Sequence, residues 1–442
     1  LKELANKIDK TGQAKKEIIS VAKEAEEYLM TSAQKRIYAV SHLIGADTTY
    51  NMPIVLTVPF KLEKQKTEKV IKRIIERHES LRTSFQVKNG EAVQVVHANS
   101  DLDIEEEVLK ADEVPSRISA WTKPFNLKKA PLMRVKIAKV DNGEHLLFLD
   151  MHHIICDGVS IDILLNEFSS LYADEKAELP VVQVQYKDYA VWKQKQDYSQ
   201  SNNHWESILD GQLPVLNLPT DFSRPKVQQF EGDYISISIN REVGRGLLEK
   251  LQEQEMTPYV LFLGLYQILL HRYSGQNDIL TGTPVSGRGQ MGLENTIGLL
   301  MNTLPIRTVT TPQMSITSFL EQVKNQVYRM MKYADYPLDE FIERKQIKRN
   351  LNRNLLFDTV FSFHTEEEVS LWTPLQTDQK TAKFDLTFEV TQLNDEFHIN
   401  IEYSTNLFRV ENIDRMARHY VELVKQYLTG TEQYLYEIDF RL

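Results

Sequence analysis

An apolar strand that ends in two adjacent histidines is the feature that most constrains this sequence. Residues 144–151 are apolar and strand-like, and they lead into His152, His153 and then Asp157-Gly158. Because successive side chains of a strand point to opposite faces, the two imidazoles cannot both face the same space. We expect His152 to be a packed structural residue and His153 to reach into a cleft as a base or hydrogen-bond partner.

The turn after the histidines also carries expectations. Asp157 can brace the turn through a buried ion pair or orient a histidine, and Gly158 permits backbone angles that a larger residue resists. Residues 160–172 have apolar side chains at helical spacing behind Ser160, which predicts a helix capped by that serine. Taken alone, however, a His-His pair is more often a packed feature than a catalytic site.

Further motifs stand before and after the histidines in a fixed order. Residues 32–36 read SAQKR, and residues 77–85 read RHESLRTSF. The later motifs occupy residues 186–192, 297–307, 335–339 and 349–357. With the HHxxxDG form of residues 152–158, this ordered set resembles the condensation domains of nonribosomal peptide synthetases from about residue 28 onward. The sequence departs from the family's usual residues at Cys156, Asn350, Asn352 and Leu355.

The resemblance implies a mixed α/β fold in which two chloramphenicol-acetyltransferase-like lobes form a V-shaped pseudodimer. The active site would lie at the interface of the lobes, on a tunnel open to carrier arms from two faces. We place the N-terminal lobe at residues 28–195 and the C-terminal lobe at 196–442, with the polar stretch 194–203 as the seam. Residues 1–27 resemble the end of an upstream carrier domain plus a linker, and the chain reads as a piece of a longer protein.

Local patterns predict several elements of these lobes. Hairpin turns are expected at Asn89-Gly90, at 141–143 and at Asn394-Asp395. Amphipathic helices are expected at residues 68–81, 315–333 and 410–428. Residues 259–270 are apolar but too short to span a bilayer, so we expect a core helix that starts at Thr257-Pro258 and stops at Gly275.

Composition narrows the class of protein. The 442 residues are 42% hydrophobic and 26% charged, as in a globular protein with large cores. A net charge of −10 argues against nucleic acid as the main partner. A single cysteine excludes an internal disulfide, no zinc-type spacing occurs, and we expect no metal, no membrane contact and a cytoplasmic location.

The resemblance implies amide formation, in which the amine on an acceptor carrier attacks the thioester on a donor carrier. His153 is the predicted catalytic residue, either as a true base or as a positioning hydrogen-bond partner. His152, Asp157, Gly158 and Asn302 are the predicted support. By resemblance Asp157 forms a structural ion pair, for which Arg82 is our candidate. Asn302 either donates to the developing oxyanion, orients the amine or caps a turn at a strand end.

Other residues near these motifs have two interpretations each. For Tyr189 and Trp192 we favour packing over substrate contact. For Cys156 we favour a small packed residue over a nucleophile. Arg288 either lines the tunnel or closes a loop. The basic residues 344–349 with Arg353 either meet a carrier phosphate or form a solvated loop.

The resemblance implies no cofactor bound by the chain itself, because its substrates arrive on 4′-phosphopantetheine arms of partner carrier domains. Donor and acceptor peptidyl carrier domains and an adjacent adenylation domain are the expected partners, and the excised piece is expected to be monomeric. The SAQKR motif favours the subtype that joins an L-configured donor. Two alternatives remain: an epimerization domain of the same superfamily, and a degenerate platform that docks a carrier or a tailoring enzyme.

Overall fold

Helices and strands alternate along the chain in the computed structural model, which describes residues 18–42, 48–311, 313–347, 350–366, 372–375, 380–430, 434–438 and 440. The helices are α1 (Ser32–Val40), α2 (Lys64–Arg77), α3 (Val114–Ser119), α4 (Gly158–Ala173), α5 (Tyr186–Lys193), α6 (Ser199–Leu209), α7 (Arg241–Glu253), α8 (Pro258–Ser274), α9 (Ile316–Lys332), α10 (Leu338–Arg344) and α11 (Val410–Thr429). The strands are β1 (Tyr28–Leu29), β2 (Asn51–Val58), β3 (Thr83–Lys88), β4 (Glu91–Val96), β5 (Glu105–Leu109), β6 (Met133–Val140), β7 (His145–His152), β8 (Gly232–Ile239), β9 (Asp278–Val285), β10 (Asn302–Val309), β11 (Thr359–Glu366), β12 (Thr373–Leu375), β13 (Leu386–Leu393) and β14 (Glu396–Ser404).

Strand β7 lies at the centre of a five-stranded sheet of order β12-β2-β7-β6-β5. Its side chains divide between two cores as the strand period requires. Leu147, Leu149 and Met151 join the core under helices α2 and α4, whereas Leu146 and Phe148 join a smaller core on the other face. Both faces are therefore covered, which explains why the strand is a continuous apolar run.

The second half of the sequence forms a six-stranded sheet of order β10-β9-β11-β13-β14-β8. Strand β11 pairs in parallel with β13 and β9, and the other pairs are antiparallel. Helix α8 is buried throughout residues 259–270, is capped by Thr257 and ends at Gly275 with φ 68°. The predicted core helix is confirmed, and no helix among the described residues is long and apolar enough to cross a membrane.

The three predicted hairpin turns are confirmed. Asn89 and Gly90 connect β3 to β4 with φ of 52° and 84°, and Asn394 at φ 54° begins the turn from β13 to β14. Gly143 at φ 93° closes the turn between β6 and β7. These positive φ angles are the ones that Asn and Gly adopt at low cost.

The predicted limits of two helices were wrong. Residues 68–81 are not one helix, because α2 ends at Arg77 and extended backbone at His78 separates it from a 3₁₀ turn at Glu79–Arg82. Helix α4 begins at Gly158 rather than behind Ser160, because Asp157 accepts the Ser160 N–H and is the cap. The predicted seam at 194–203 is also partly helical, since α6 begins within it.

The two halves of the sequence are not closed units. Strand β12 adds to the edge of the first-half sheet beside β2, and Trp372 packs in the same core. Residues 293–300 also contribute apolar side chains to that core. The domain limits at 27 and 195 therefore remain predictions, and residues 1–17 of the predicted carrier end and linker lie outside the described residues.

Two glycines on helix α7 provide a test of the packing between the helix and the β13–β14 turn. A Cβ at position 244 would lie 1.7 Å from the Asp395 carbonyl oxygen, which is backbone and cannot move aside easily. We expect Gly244→Ala to lower the free energy of unfolding by about 1–3 kcal/mol in urea titration.

The matched control is Gly246→Ala on the same helix. A Cβ there would lie 3.3 Å from a flexible Leu428 methyl group. Because alanine favours a helix over glycine by up to about 1 kcal/mol, this variant should equal or exceed the wild type in stability. Equal destabilisation by both substitutions would contradict the described contact.

Candidate functional site

His152 and His153 diverge at the point where strand β7 ends. His152 is its last residue, and His153 begins a 3₁₀ turn that runs to Ile155. The backbone N–H of His152 donates to the Leu132 carbonyl at 3.0 Å, and that of His153 donates to the Tyr50 carbonyl at 2.8 Å. His153 is the more accessible side chain, at 8% exposure against 2% for His152.

The ring of His153 has a defined proton position. Its Nδ1 lies 2.6 Å from the Cys156 carbonyl oxygen, which can only accept, so Nδ1 carries the hydrogen. The pKa of His153 is lowered to about 4, chiefly by burial and also by the charges of Lys383 and Arg36, while the Cys156 carbonyl and Asp157 oppose the change. The imidazole is therefore neutral near pH 7, with the Nε2 lone pair available to accept a proton or hydrogen bond.

The ring of His152 has structural contacts on both nitrogens. Its Nδ1 accepts from the Ile154 N–H at 3.2 Å, so Nε2 carries the hydrogen and lies 3.4 Å from Ser41 Oγ. Its ring packs edge-on against Phe125 at 6.1 Å. Burial lowers the pKa of His152 to about 3, which keeps this imidazole neutral as well. These contacts fit the supporting role that the sequence predicted.

A buried carboxylate, Asp150, lies two residues before this pair. Asp150 Oδ2 accepts from Arg134 at 2.7 Å and from Asn51 at 2.9 Å. Burial nevertheless raises the pKa of Asp150 to about 6, against the opposing effect of Arg134. The Arg134 guanidinium lies 3.7 Å from the centre of the Phe125 ring. Asp150 thus supports, through Arg134 and Phe125, the wall on which His152 packs.

Asp157 joins the histidine turn to the second half of the sequence. Its Oδ1 accepts from the Ser160 N–H at 2.9 Å, from Ser160 Oγ at 2.7 Å and from Arg288 Nη2 at 2.9 Å. Its Oδ2 accepts from Arg288 Nη1 at 2.9 Å and from the N–H groups of Leu300 and Met301 at 3.1 and 3.0 Å. The carboxylate is 1% exposed, so this is a fully bonded buried charge.

The predicted partner of Asp157 was wrong. Arg82 instead donates to the His97 carbonyl at 2.6 Å and lies 3.7 Å from Glu79. The 3₁₀ turn directs Arg82 toward the end of β4, whereas Arg288 follows strand β9 directly to the histidine turn. Arg288 therefore closes a joint between distant segments, and no local pattern in the sequence states which arginine meets the aspartate.

The predicted reason for a glycine at position 158, unusual backbone angles, was also wrong. Gly158 is the first residue of α4 and does not have the positive φ that favours glycine. A Cβ at this position would meet no atom within 4 Å. The absence of a side chain leaves open space beside the histidine turn rather than relieving backbone strain.

The amide nitrogen of Asn302 is bound to backbone carbonyls. Its Nδ2 donates to the carbonyls of Ala334 and Tyr336 at 3.0 and 2.9 Å, which uses both amide hydrogens. The predicted role as an oxyanion donor is therefore wrong in this structure. The two bonds fasten the start of β10 to residues 334–336. Orientation of the amine by Asn302 Oδ1 stays a prediction.

The neighbouring aromatic and thiol groups are packed as expected. Tyr189 is 3% exposed and its ring lies 5.9 Å from that of Trp192. Cys156 is fully buried with its sulfur 3.8 Å from Met52 Sδ, and burial raises the pKa of its thiol. A thiol held in this protonated form is a poor nucleophile.

The basic cluster has protein partners where it is described. Lys345 lies 3.3 Å from Glu206, and Arg353 pairs with Asp358. Arg344 donates to Asn202 Oδ1 at 2.9 Å. Lys348 and Arg349 lie outside the described residues. These contacts favour the solvated loop over a phosphate site.

Helix α1 carries contacts that the sequence did not predict. The Arg36 guanidinium lies 3.4 Å from Asp339, and Ser32 Oγ donates to Glu340 at 2.8 Å, so the SAQKR motif meets the motif at 335–339. Gln34 Nε2 reaches the Ile154 carbonyl at 3.5 Å. Helix α1 therefore lies between the histidine turn and helix α10. The sequence showed that both motifs are present, but it did not show that they are in contact.

The comparisons with known proteins identify the family. The family described as "Condensation domain" matches residues 24–440. The chain belongs to the condensation-domain family. It is 38% identical over 450 residues to tyrocidine synthase 3 of Brevibacillus parabrevis, which covers 99% of this chain and 7% of that protein. It is 38% identical to surfactin synthase subunit 1 of Bacillus subtilis (strain 168), over 92% of this chain and 12% of that protein.

Solved structures of low sequence identity share the fold. The X-domain from teicoplanin biosynthesis matches with a TM-score of 0.87 at 19% identity, covering 96% of this chain and all of the other. The epimerization domain from the third module of tyrocidine synthetase B matches with a TM-score of 0.79 at 20% identity. The match covers 93% of this chain and 99% of the other. The first condensation domain of the calcium-dependent antibiotic synthetase matches with a TM-score of 0.76 at 14% identity. The match covers 95% of this chain and all of the other. The predicted class, two chloramphenicol-acetyltransferase-like lobes, is confirmed.

The Asp157–Arg288 pair leads to a stability prediction. Arg288 is 7% exposed, and its loss would leave Asp157 buried without its charged partner. We expect Arg288→Met to lower the free energy of unfolding by about 3–5 kcal/mol. Arg82→Met is the matched control, with an expected loss of about 1–2 kcal/mol, because its charge is more exposed and it makes one short carbonyl bond. A larger loss for Arg82→Met in urea titration would contradict the pairing.

The neutral His153 predicts a pH dependence of stability. As the pH falls below 6.5, His153 becomes protonated in the unfolded chain, whereas in the folded protein it stays neutral until about pH 4. The free energy of unfolding should therefore fall with pH in this range, and this one group contributes on the order of 3 kcal/mol by pH 4. His153→Gln removes that contribution and should give a shallower decline in urea titrations at successive pH values.

The comparison of these two proteins isolates His153 from other groups. Asp150 acts in the opposite direction, since its raised pKa gives stability that is present at low pH and lost as pH rises through about 6. Its contribution does not depend on His153, so it is common to both proteins and cancels in the difference. Identical pH slopes for both proteins would show that His153 is not held neutral in the folded state.

Proposed function

We propose that this chain catalyses amide bond formation between two carrier-bound substrates. The observation that carries the proposal is the neutral imidazole of His153, with Nδ1 donating to Cys156 and Nε2 bound by no described residue. This ring stands where Asp157 and Arg288 join the two halves of the sequence. Similarity to tyrocidine synthase 3 and surfactin synthase subunit 1 supports the proposal that this chain is part of a nonribosomal peptide synthetase.

The proposed reaction needs few groups, because a thioester is already activated. The amine nitrogen on the acceptor carrier attacks the thioester carbonyl carbon, the C–S bond breaks, and the donor arm leaves as a thiol. The α-amine has a pKa near 7.7–8.0, so one proton must be accepted as the C–N bond forms. His153 Nε2 accepts that proton and returns it to the departing sulfur.

The lowered pKa of His153 defines this role more narrowly. A group that stays neutral until about pH 4 is a weak resting base. It is, however, always ready to accept a hydrogen bond from a neutral amine and to orient its lone pair toward the carbonyl. We therefore propose positioning with transient proton acceptance rather than prior deprotonation of an ammonium ion.

Asp157 and Asn302 have supporting parts in this proposal. Asp157 does not orient the His153 ring, since both of its oxygens bond to Ser160, Arg288 and the backbone at 300–301. Its proposed part is to hold the turn against the second half. Asn302 contributes only by fixing the start of β10. The oxyanion donor is left to backbone N–H groups of the turn, with that of Gly158 as the candidate.

The partners follow from the same proposal. Substrates would arrive on the 4′-phosphopantetheine arms of a donor and an acceptor peptidyl carrier domain, next to an adenylation domain of the parent synthetase. The chain itself would bind no cofactor. We keep the L-configured donor subtype, monomeric behaviour of the excised piece and cytoplasmic location as parts of the proposal.

The decisive experiment reconstitutes the reaction with loaded donor and acceptor carriers. His153→Ala should reduce the rate of amide formation by about 100-fold or more, because both proton acceptance and amine positioning are lost. His398→Ala is the control, since this histidine is 45% exposed on strand β14 and outside the site. Product is measured by mass spectrometry of the carriers, and folding by circular dichroism.

The outcomes separate the proposal from its rivals. A folded His153→Ala protein with the wild-type rate would refute the catalytic role of His153. Loss of deuterium from the α-carbon of a loaded substrate, without amide product, would instead show an epimerization domain. A wild-type protein that binds a carrier but promotes neither reaction would be a docking platform.

A further inference from the structure

A lysine from the second half of the sequence reaches Tyr50, which lies beside the histidine turn. The ammonium of Lys383 lies 5.1 Å from the centre of the Tyr50 ring, in a cation–π contact. The Tyr50 ring lies 6.3 Å from the His153 imidazole, and the Tyr50 carbonyl accepts the His153 N–H. Tyr50 therefore connects a cation of one half to the reactive ring of the other.

The backbone of Lys383 is held in place by three side chains. Its carbonyl accepts from Gln228 Nε2 at 3.1 Å and from Asn354 Nδ2 at 3.2 Å. Its N–H donates to the carboxylate of Glu402. A peptide fixed at both its donor and its acceptor presents its side chain from a rigid platform, as a preorganised site requires.

The ammonium is not neutralised by a close acid. Within the described residues no carboxylate lies within 4 Å of Lys383 Nζ, and Glu402 is the acid that most favours its charge. Burial lowers the pKa of Lys383, and the Glu402 carboxylate opposes this change. The Lys383 side chain is partly buried, so its charge is screened less than that of a surface lysine.

The charges that face His153 come from several elements. Lys383 and Arg36 are positive, Asp157 is negative, and His152 beside it is neutral. Asp157 already binds Arg288 and two backbone N–H groups, which offset its charge. The remaining field at the imidazole is therefore dominated by cations.

We propose that Lys383 is a positioning residue, whose fixed ammonium beside Tyr50 keeps the His153 imidazole and the incoming amine in their uncharged forms. The part that concerns the amine rests on the proposed function, whereas the part that concerns His153 does not. The two ring distances of 5.1 and 6.3 Å place the ammonium within about 11 Å of the His153 ring. A single charge at that distance through protein shifts a pKa by about one unit.

Titration of His153 by NMR tests the inference without any substrate. Lys383→Met removes the charge but keeps an unbranched side chain, and it should raise the pKa of the His153 ring by about one unit. Lys383→Arg keeps the charge and should titrate as the wild type does. Lys380→Met is the matched control, because Lys380 lies three residues earlier, is 69% exposed and faces Asp233.

A kinetic readout then tests the part that involves the amine. With loaded carriers, Lys383→Met should lose about tenfold in rate at pH 6.5 and recover as the pH rises, since a charged amine loses its proton there. The acceptor-carrier concentration at half-maximal rate should stay unchanged. A purely structural role of Lys383 would reduce the rate equally at all pH values and would not be rescued by arginine.

The outcomes keep the two proposals distinct. Unchanged titration of His153 in a folded Lys383→Met protein would overturn the inference, and Lys383→Gln gives the same test should the methionine variant fail to fold. Failure of the wild type to form amide would refute the proposed function alone, because the NMR titration still decides the role of Lys383.

Discussion

The carboxylate of Asp157 is the constraint on which the rest of the site depends. It caps helix α4 through Ser160, binds Arg288 with both oxygens and accepts the backbone N–H groups at 300 and 301. Removing any of these donors leaves a buried charge with less compensation. One side chain therefore fixes the histidine turn, the helix that follows it and the segment of the second half that closes over them.

This arrangement explains why the site contains no histidine–aspartate relay. An aspartate that orients a catalytic histidine must accept from its Nδ1, but here the Cys156 carbonyl takes that bond. A carbonyl fixes the same tautomer without adding a negative charge beside the ring. The imidazole is then left neutral by burial and by nearby cations, which suits the proposed attack by a neutral amine.

The sequence predicted best those features that depend on neighbours along the chain. The turn at Asn89-Gly90 requires positive φ at both residues, and helix α8 carries its cap at Thr257 and its stop at Gly275. The division between His152 and His153 likewise follows from the strand period, which sorts Leu147 and Leu146 into different cores. Such features need no knowledge of distant contacts.

Features that depend on contacts between distant residues could not be predicted from the sequence in the same way. Asp157 and Arg288 are 131 positions apart, and Arg82 was an equally reasonable partner until the fold fixed their distances. Asn302 was misread for the same reason, because the carbonyls that bind it belong to Ala334 and Tyr336. Lys383 gave no signal at all, since its position depends on Gln228, Asn354 and Glu402. A single sequence specifies these residues but not which of them meet.

The family motifs acquire a common physical meaning once these contacts are known. The motif at 32–36 meets the one at 335–339 through Arg36 and Asp339, and the histidine motif meets residues 298–301 through Asp157. Arg36, Asp157 and Asp339 thus belong to joints between the halves rather than to the chemistry. The proposed attack of a neutral amine on an activated thioester needs one well-placed acceptor, whereas the joints between distant segments need many fixed contacts. The motif residues at these joints therefore reflect the assembly of the fold, and His153 is the side chain with a proposed direct part in the reaction.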